Sequence, residues 1–431
     1  MEEIFIQNIR INHIRNISDF EIPISETEKK HLIITGKNGS GKTTLLKELK
    51  YFLENVVNTN YQDKRERLKN LVTYIETLVS NVERKHSFRF KNIEVEHPDL
   101  LLRENPDYYK IKEEQKQIVA WLYQFNNVNI VINKNDLAAK QFGKGTYIIA
   151  FFEAKRLNNL IQPTEIKLVN IKPFYGIEDI AGKDFIQYII KLKTDYIFAK
   201  NENDNVEADK IDKWFQQFEA RILDLLDIKD AELQFDRKTL NFNIIEPGKS
   251  PYNLNQLSDG YTAIFNIITE LIMRMEEHKT KNYDVQGIVL IDEIETHLHI
   301  ELQKKVLPFL ISFFPKVQFI VTTHSPFVIT SVENAVVCDL EKKMVFSDLS
   351  EYSYDAIVKG YFDNYKYSNV LKRKVDEYEK LMGKETLTDE EQDRLDELNL
   401  DFEHIPKIFA DELVVKLQQI KLKNIKRKVR K

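Results

Sequence analysis

Apolar residues fall into two rhythms along the chain, and the switch between them recurs. Short unbroken runs predict buried strands, and runs of helical period predict amphipathic helices. HLIITGKNGSGKTTLLKEL, from His31 to Leu49, predicts a buried strand, a glycine-rich turn and a helix with Leu45, Leu46 and Leu49 on its inner face. A second buried strand is Ile288 to Ile291, and VQFIVTTHSPFVI holds a third, with His324 just past its apolar run. KGTYIIAFFEAKRL predicts a further strand that ends at Lys155 and Arg156. That basic pair suits either contact with nucleotide or nucleic acid, or a solvated strand end. Helical period follows Ser258, through Ile264, Phe265, Ile268, Leu271 and Ile272, and marks Trp214, Phe218, Ile222 and Leu225 as the core face of another helix. Unbroken apolar strands interleaved with helices predict an α/β fold around a parallel sheet.

The remaining periodicity divides the chain. Residues 1–57, 142–157 and 231–345 read as parts of one α/β body. Between the first two, an amphipathic stripe through Leu71, Val72, Ile75, Leu78, Val79 and Val82, an alternating SFRFKNIEVE and a stripe through Ile111, Ile118, Leu122 and Phe125 predict an inserted arm or lobe over 58–141. Residues 158–230 form a helical subdomain. Residues 346–431 form a helical C-terminal region: Leu371, Val375, Tyr378 and Leu381, then a capping box from Thr388 to Glu391 ahead of Leu395 and Leu398, then Leu413, Val414, Leu417 and Ile420. Its end, KLKNIKRKVRK, is densely basic and suits a solvated tail or a phosphate-binding one.

Composition changes this picture only at its edges. The 431 residues are 42% hydrophobic and 30% charged, enough to bury a core, with a net charge of −5, so any contact with DNA or RNA must come from a local patch. One cysteine, Cys338, forms no internal disulfide and fits a reducing compartment. Without a leader-like N-terminus or an apolar run of roughly 18 residues, a cytoplasmic protein with no membrane contact is expected.

The chemistry sits at the ends of the three buried strands. G-x-x-x-x-G-K-[ST] is met by Gly36, Gly41, Lys42 and Thr43, with Lys37, Asn38, Gly39, Ser40 and Thr44 completing the loop. Glycines let backbone amides curl around phosphate oxygens, and the helix N-terminus adds a favourable dipole. Lys42 is then the group for the β- and γ-phosphates of ATP, and Thr43 a Mg2+ ligand. Asp292, past the second strand, supplies the other half of the metal site; Glu293 next to it projects differently and suits orienting or deprotonating the attacking water. His324 suits a sensor of the γ-phosphate. His297 and His299 lack a ligand cluster around them and read as loop residues rather than a metal site.

Together these elements resemble the ATP-binding-cassette ATPases. The family's signature, of the form LSGGQ, precedes the second of these strands, and Leu257, Ser258, Asp259 and Gly260 resemble it with Asp for the first paired glycine. The resemblance implies a P-loop ATPase head in which Ser258 and the amides near Gly260 cap the γ-phosphate held by another copy. That makes a homodimer or higher oligomer, and a composite site for ATP hydrolysis. Glu295 to His299 would be the D-loop at that interface. LIDEIETHLHIELQKKVLPFL and TTHSPFVI look like the soluble OLD, RecF and SMC-related branch. Nucleases of the OLD type carry a TOPRIM domain with an Asp-x-Asp pair, which this sequence does not contain.

Three functions follow from the resemblance. In the first, the chain is similar to the ATPase subunits of antiphage systems such as Septu, the retrons and PARIS, and controls a separate, nuclease-like effector through its C-terminal helices. In the second it is a RecF-like clamp that grips DNA on ATP-driven dimerisation. In the third it holds ATP as a switch without turning it over.

Overall fold

A computed structural model describes residues 2–56, 64, 66–74, 76–77, 106–123, 127–156, 161, 163, 165–167, 169, 171–172, 174–228, 230–276, 285–352, 369–384, 387–403, 417–420 and 422. Its strands are β1 (Ile6–Ile14), β2 (Ile17–Pro23), β3 (His31–Thr35), β4 (Val128–Ile132), β5 (Tyr147–Phe152), β6 (Glu232–Asp236), β7 (Asn241–Ile245), β8 (Tyr252–Asn253), β9 (Gln286–Ile291), β10 (Val317–Thr322), β11 (Ala335–Asp339) and β12 (Met344–Phe346). Its helices are α1 (Lys42–Val56), α2 (Pro106–Tyr123), α3 (Asn135–Gly143), α4 (Phe185–Asn201), α5 (Asn205–Leu226), α6 (Asp259–Met275), α7 (Ile300–Phe313), the one-turn α8 (Pro326–Ile329), α9 (Asn369–Met382) and α10 (Asp389–Glu403). They belong to two units, Met1–Tyr352 and Ser353–Lys431.

A six-stranded sheet in the order β12-β11-β3-β10-β9-β5 organises the first unit. All its pairings are parallel except β11 with β12 at one edge. Every residue of β3, β9 and β10 is buried, as expected of parallel strands covered on both faces. The decisive feature of the order is that β10 lies between β3 and β9. Glycine loop, His324 and Asp292 therefore emerge side by side at the carboxyl edge of the sheet, where open α/β sheets bind ligands.

A second, antiparallel sheet, β2-β1-β4, packs against α1. Leu45, Leu46 and Leu49 of α1 share one buried cluster with Ile6, Ile9 and Ile11 of β1, Ile130 of β4 and Leu32 and Ile34 of β3. Two buried glutamines tie the N-terminal segment to the strand starts of the main sheet. Gln286 accepts from the Ile4 amide (2.8 Å), and Gln318 accepts from the Ile6 amide (2.7 Å) while donating to the Ile6 and Lys30 carbonyls. The β4 pairing, with Ile9 opposite Ile130 and Ile11 opposite Val128, corrects the expected extent of the inserted arm. The arm was expected to run to residue 141, yet the head resumes at Val128. Within the arm, helix covers described residues 66–74 and 76–77 and α2, joined by Arg67 donating to Glu114 (2.8 and 3.0 Å). Ile75, Leu78, Val79, Val82, Phe125 and SFRFKNIEVE lie outside the described residues.

The helical subdomain is α4 and α5, packed on each other and reaching α6. Trp214 and Phe218 stack at 5.3 Å, and Phe185 meets Phe265 of α6 edge-on at 5.9 Å, so these rings are core. In the chain, a small antiparallel sheet, β6-β7-β8, separates α5 from α6. In the second unit, Val375, Tyr378 and Leu381 of α9 and Leu395 and Leu398 of α10 make a separate buried cluster with Ile420. The capping box is present, with reciprocal Thr388 and Glu391 bonds of 3.3 Å. Leu413, Val414 and the basic residues 423–431 lie outside the described residues. No described helix is long and apolar enough to cross a membrane.

Candidate nucleotide site

The chain leaves β3 through Gly36 (φ +138°), and Gly39 (+84°) and Gly41 (+101°) complete the turn into α1. The angle at Gly36 strains any side chain, and a Cβ there would crowd Ser40 Oγ at 2.9 Å and the Glu341 amide nitrogen at 3.3 Å. Ser40 Oγ is itself buried, with no hydrogen-bond partner among the described residues. Lys37 on the exposed rim binds Glu341, beyond β11, at 2.9 Å. Lys42 opens α1 and folds its ammonium back onto the Gly36 and Lys37 carbonyls (2.8 and 3.1 Å). Burial pushes the Lys42 pKa down, while the carboxylates of Glu293, Glu295, Asp292 and Asp339 oppose that shift.

Asp292 follows β9 and is buried. One of its oxygens accepts from Thr43 Oγ1 (3.2 Å) and Thr322 Oγ1 (2.6 Å), and Thr322 Oγ1 in turn accepts from the Glu293 amide (2.7 Å). The three strand ends are thus laced by hydroxyls through one carboxylate. Glu293 stands in the left-handed region (φ +44°), and its carboxylate accepts from Thr296 Oγ1 (3.3 Å). Glu295 accepts from the His324 amide (2.5 Å), and its other oxygen is buried with no hydrogen-bond partner among the described residues. Burial, followed by the charge of Lys42, holds the His324 pKa below its usual value against the pull of the three acidic residues. At neutral pH this imidazole is neutral, with one nitrogen able to donate and one to accept.

The donors here fit the groups the sequence implied. A loop of three left-handed glycines at a helix N-terminus is the shape that cradles phosphate, with Lys42, Thr43 and Thr44 following it. Thr43 and Asp292 offer hydroxyl and carboxylate oxygens, the hard donors that Mg2+ takes. Mg2+ at that place would polarise the phosphate oxygens it touches.

Ser258 and Gly260 lie at the head of α6, and of the two Gly260 packs against the turn at His297. Ser258 occupies the N-cap position of α6, is exposed, and makes no side-chain capping bond. Gly260 is buried beneath the D-loop, where a Cβ would meet the His297 carbonyl oxygen at 2.9 Å. His297 is itself left-handed (φ +66°). Farther along α6, Glu270 accepts from the Ala181 and Gly182 amides (3.0 and 2.6 Å) and from Arg274 (2.7 Å). Arg274 reaches the Ile149 carbonyl of β5 (3.0 Å), which anchors the signature helix to the sheet.

Three residues of the site do more than the sequence shows. Thr322 is signalled only by its place two residues before His324. Glu295 falls in the expected D-loop, and for Arg156 the sequence leaves contact with nucleotide or nucleic acid open beside a solvated strand end. The structure instead puts Arg156 against the turn after β9, donating to the Asp292 and Glu293 carbonyls (3.3 and 2.6 Å). Lys155 stays exposed.

Comparison with known proteins identifies the family. Residues 5–329 match the family described as AAA ATPase domain. The Septu protein PtuA of Bacillus mycoides (strain KBAB4) is 25% identical over 328 residues, 75% of this chain and 38% of that protein, so the match spans well under half of the relative's length. The Retron Vc95 probable ATPase of Vibrio cholerae serotype O1 biovar El Tor is 25% identical over 393 residues, 76% of this chain and 73% of that one. Among solved structures, an SMC head bound to the C-winged helix domain of ScpA covers 79% of this chain and 96% of its own at 12% identity, with a TM-score of 0.36. The buried parallel sheet, the glycine loop between β3 and α1 and the match over residues 5–329 lead to one conclusion: the chain has the P-loop ATPase fold and belongs to the AAA ATPase domain family, and its relatives include a Septu protein and the probable ATPase of a retron.

Proposed function

We propose that this ATPase is the nucleotide-driven sensor and regulatory scaffold of an antiphage defence complex, and that it controls a separate nuclease-like effector. The observation that carries the reading is the pairing of similarities: relatives from a Septu system and from a retron each align with about three quarters of this chain. A cytoplasmic location fits that role. Lys42 engages the β- and γ-phosphates, with Gly36 to Thr44 around them. Thr43 and Asp292 hold Mg2+, Glu293 orients the attacking water, and His324 senses the γ-phosphate.

Ser258 and Gly260 act on the nucleotide of a second copy, so that hydrolysis needs a dimer of heads. What supports this is the state of the α6 N-terminus: a serine at the capping position that makes no cap bond, exposed at the end of a buried helix. Unsatisfied amides at such an end suit an anion. The α9 and α10 pair, with its own small core, is the surface offered to the effector.

Purification of the native complex from its own operon, with and without ATP, tests the reading. A stable assembly holding a nuclease-like chain is the expected result. A lone protein that dimerises with ATP and grips DNA would overturn it in favour of a DNA clamp.

A further inference from the structure

The turn after β9 is held by a residue from another strand. β5 and β9 run parallel with Phe152 beside Ile291, and the Asp292 amide extends that ladder to the Phe152 carbonyl (2.8 Å). Four residues past β5 the chain brings Arg156 back to the same turn. There its Nη2 donates to two successive carbonyls, of Asp292 (3.3 Å) and Glu293 (2.6 Å). Glu293 is the residue whose backbone sits at φ +44°, a conformation that costs a non-glycine residue on the order of 1 kcal/mol and persists only where its surroundings impose it. Thr322 holds its amide and Arg156 its carbonyl, so the peptide groups on both sides of the Glu293 side chain are pinned.

We propose that Arg156 is a positioning residue for ATP hydrolysis: by clasping the Asp292 and Glu293 carbonyls it fixes the direction of the Glu293 carboxylate and of the Asp292 metal ligand beside it. The inference rests on the reading of Glu293 as the group that orients water. One nitrogen, Nη2, meets both carbonyls, and a guanidinium suits the task better than an ammonium because its rigid plane fixes that nitrogen and it keeps its charge when buried. Burial lowers the Arg156 pKa to about 10, and Glu295, Asp292 and Glu293 pull it back, so it remains a cation at neutral pH. That charge also offsets the mutual repulsion of three acidic side chains gathered at one strand end. Arg156 further lines a cavity of about 250 Å³ together with Phe152, Gly182 and, from α6, Asn266 and Thr269. The side chain that holds the turn of Glu293 therefore borders the same cavity as the helix that carries Ser258.

The test compares Arg156→Ala, Arg156→Lys and Glu293→Gln with the wild-type chain. Three quantities are read: the Kd of a fluorescent ATP analogue with Mg2+, the hydrolysis rate, and the Tm. Arg156→Ala should keep its Kd within about 3-fold and lose roughly 10- to 100-fold in rate. Added ethylguanidinium should restore part of that rate to Arg156→Ala and none to Glu293→Gln, and Arg156→Lys should stay slow. Hydrolysis at the wild-type rate by Arg156→Ala, with Glu293→Gln inactive, overturns the role of Arg156 alone. Loss of binding and Tm along with rate, unmoved by ethylguanidinium, makes Arg156 structural and also overturns it. Wild-type hydrolysis by Glu293→Gln overturns the reading of Glu293 and this inference together.

Discussion

His31 opens β3 as a buried imidazole whose Nδ1 accepts from the Phe319 amide (3.1 Å), and burial holds its pKa down to about 3. In the unfolded chain the same group titrates near 6.5. The unfolded state therefore takes up a proton first as pH falls. Stability from His31 is fully present above about pH 6.5 and declines toward pH 3, by up to about 1.4 kcal/mol per unit. Urea midpoints at pH 7.5 and 5.5 should diverge for the wild type and converge for His31→Gln; equal pH dependence in both would contradict this account. At this scale the sequence was most legible where chemistry restricts residue type. Gly36, Lys42, Thr43 and Asp292 announce themselves because phosphate and Mg2+ admit few substitutes. Thr322 and Arg156 act on backbone groups of a distant turn, and nothing near them in the chain shows which turn that will be.

Among the elements, α6 bears the heaviest constraint, since it carries Ser258 at one end and a buried ion pair near the other. The Glu270 and Arg274 side chains are 10% and 3% exposed. Glu270→Ala would strand a buried guanidinium and leave the Ala181 and Gly182 amides without their acceptor. We expect a loss of about 3–5 kcal/mol of stability, read from urea unfolding; a loss below about 1 kcal/mol would mean that the carbonyls around Arg274 suffice without the carboxylate. Strands and helices of the main sheet were legible because burial on both faces writes itself as unbroken apolar runs. β4 was assigned to the arm for the opposite reason. VNIVI is short and only half-buried, and its partner β1 lies more than a hundred residues earlier, so its pairing has no local signature. The sheet β6-β7-β8 escaped because β6 and β8 hold only exposed and half-buried positions, and β7, although buried at Asn241, Phe242 and Ile244, mixes asparagines into its apolar residues.

For the whole molecule, the composite site proposed above means that one chain holds only part of what hydrolysis needs. Lys42, Thr43, Asp292, Glu293 and His324 meet at the carboxyl edge of the sheet, whereas Ser258 and Gly260 lie at the head of α6, with Gly260 packed against the His297 carbonyl. A chain that binds ATP but awaits a second head would make hydrolysis depend on assembly, which suits a sensor. Glu293→Gln should bind ATP, fail to cleave it and hold two heads together. The most direct measurement is therefore the native mass of Glu293→Gln with ATP and Mg2+. The account predicts twice the 51.0 kDa of one chain, or an even multiple of it, with one ATP per chain. A species of 51.0 kDa carrying bound ATP would contradict it.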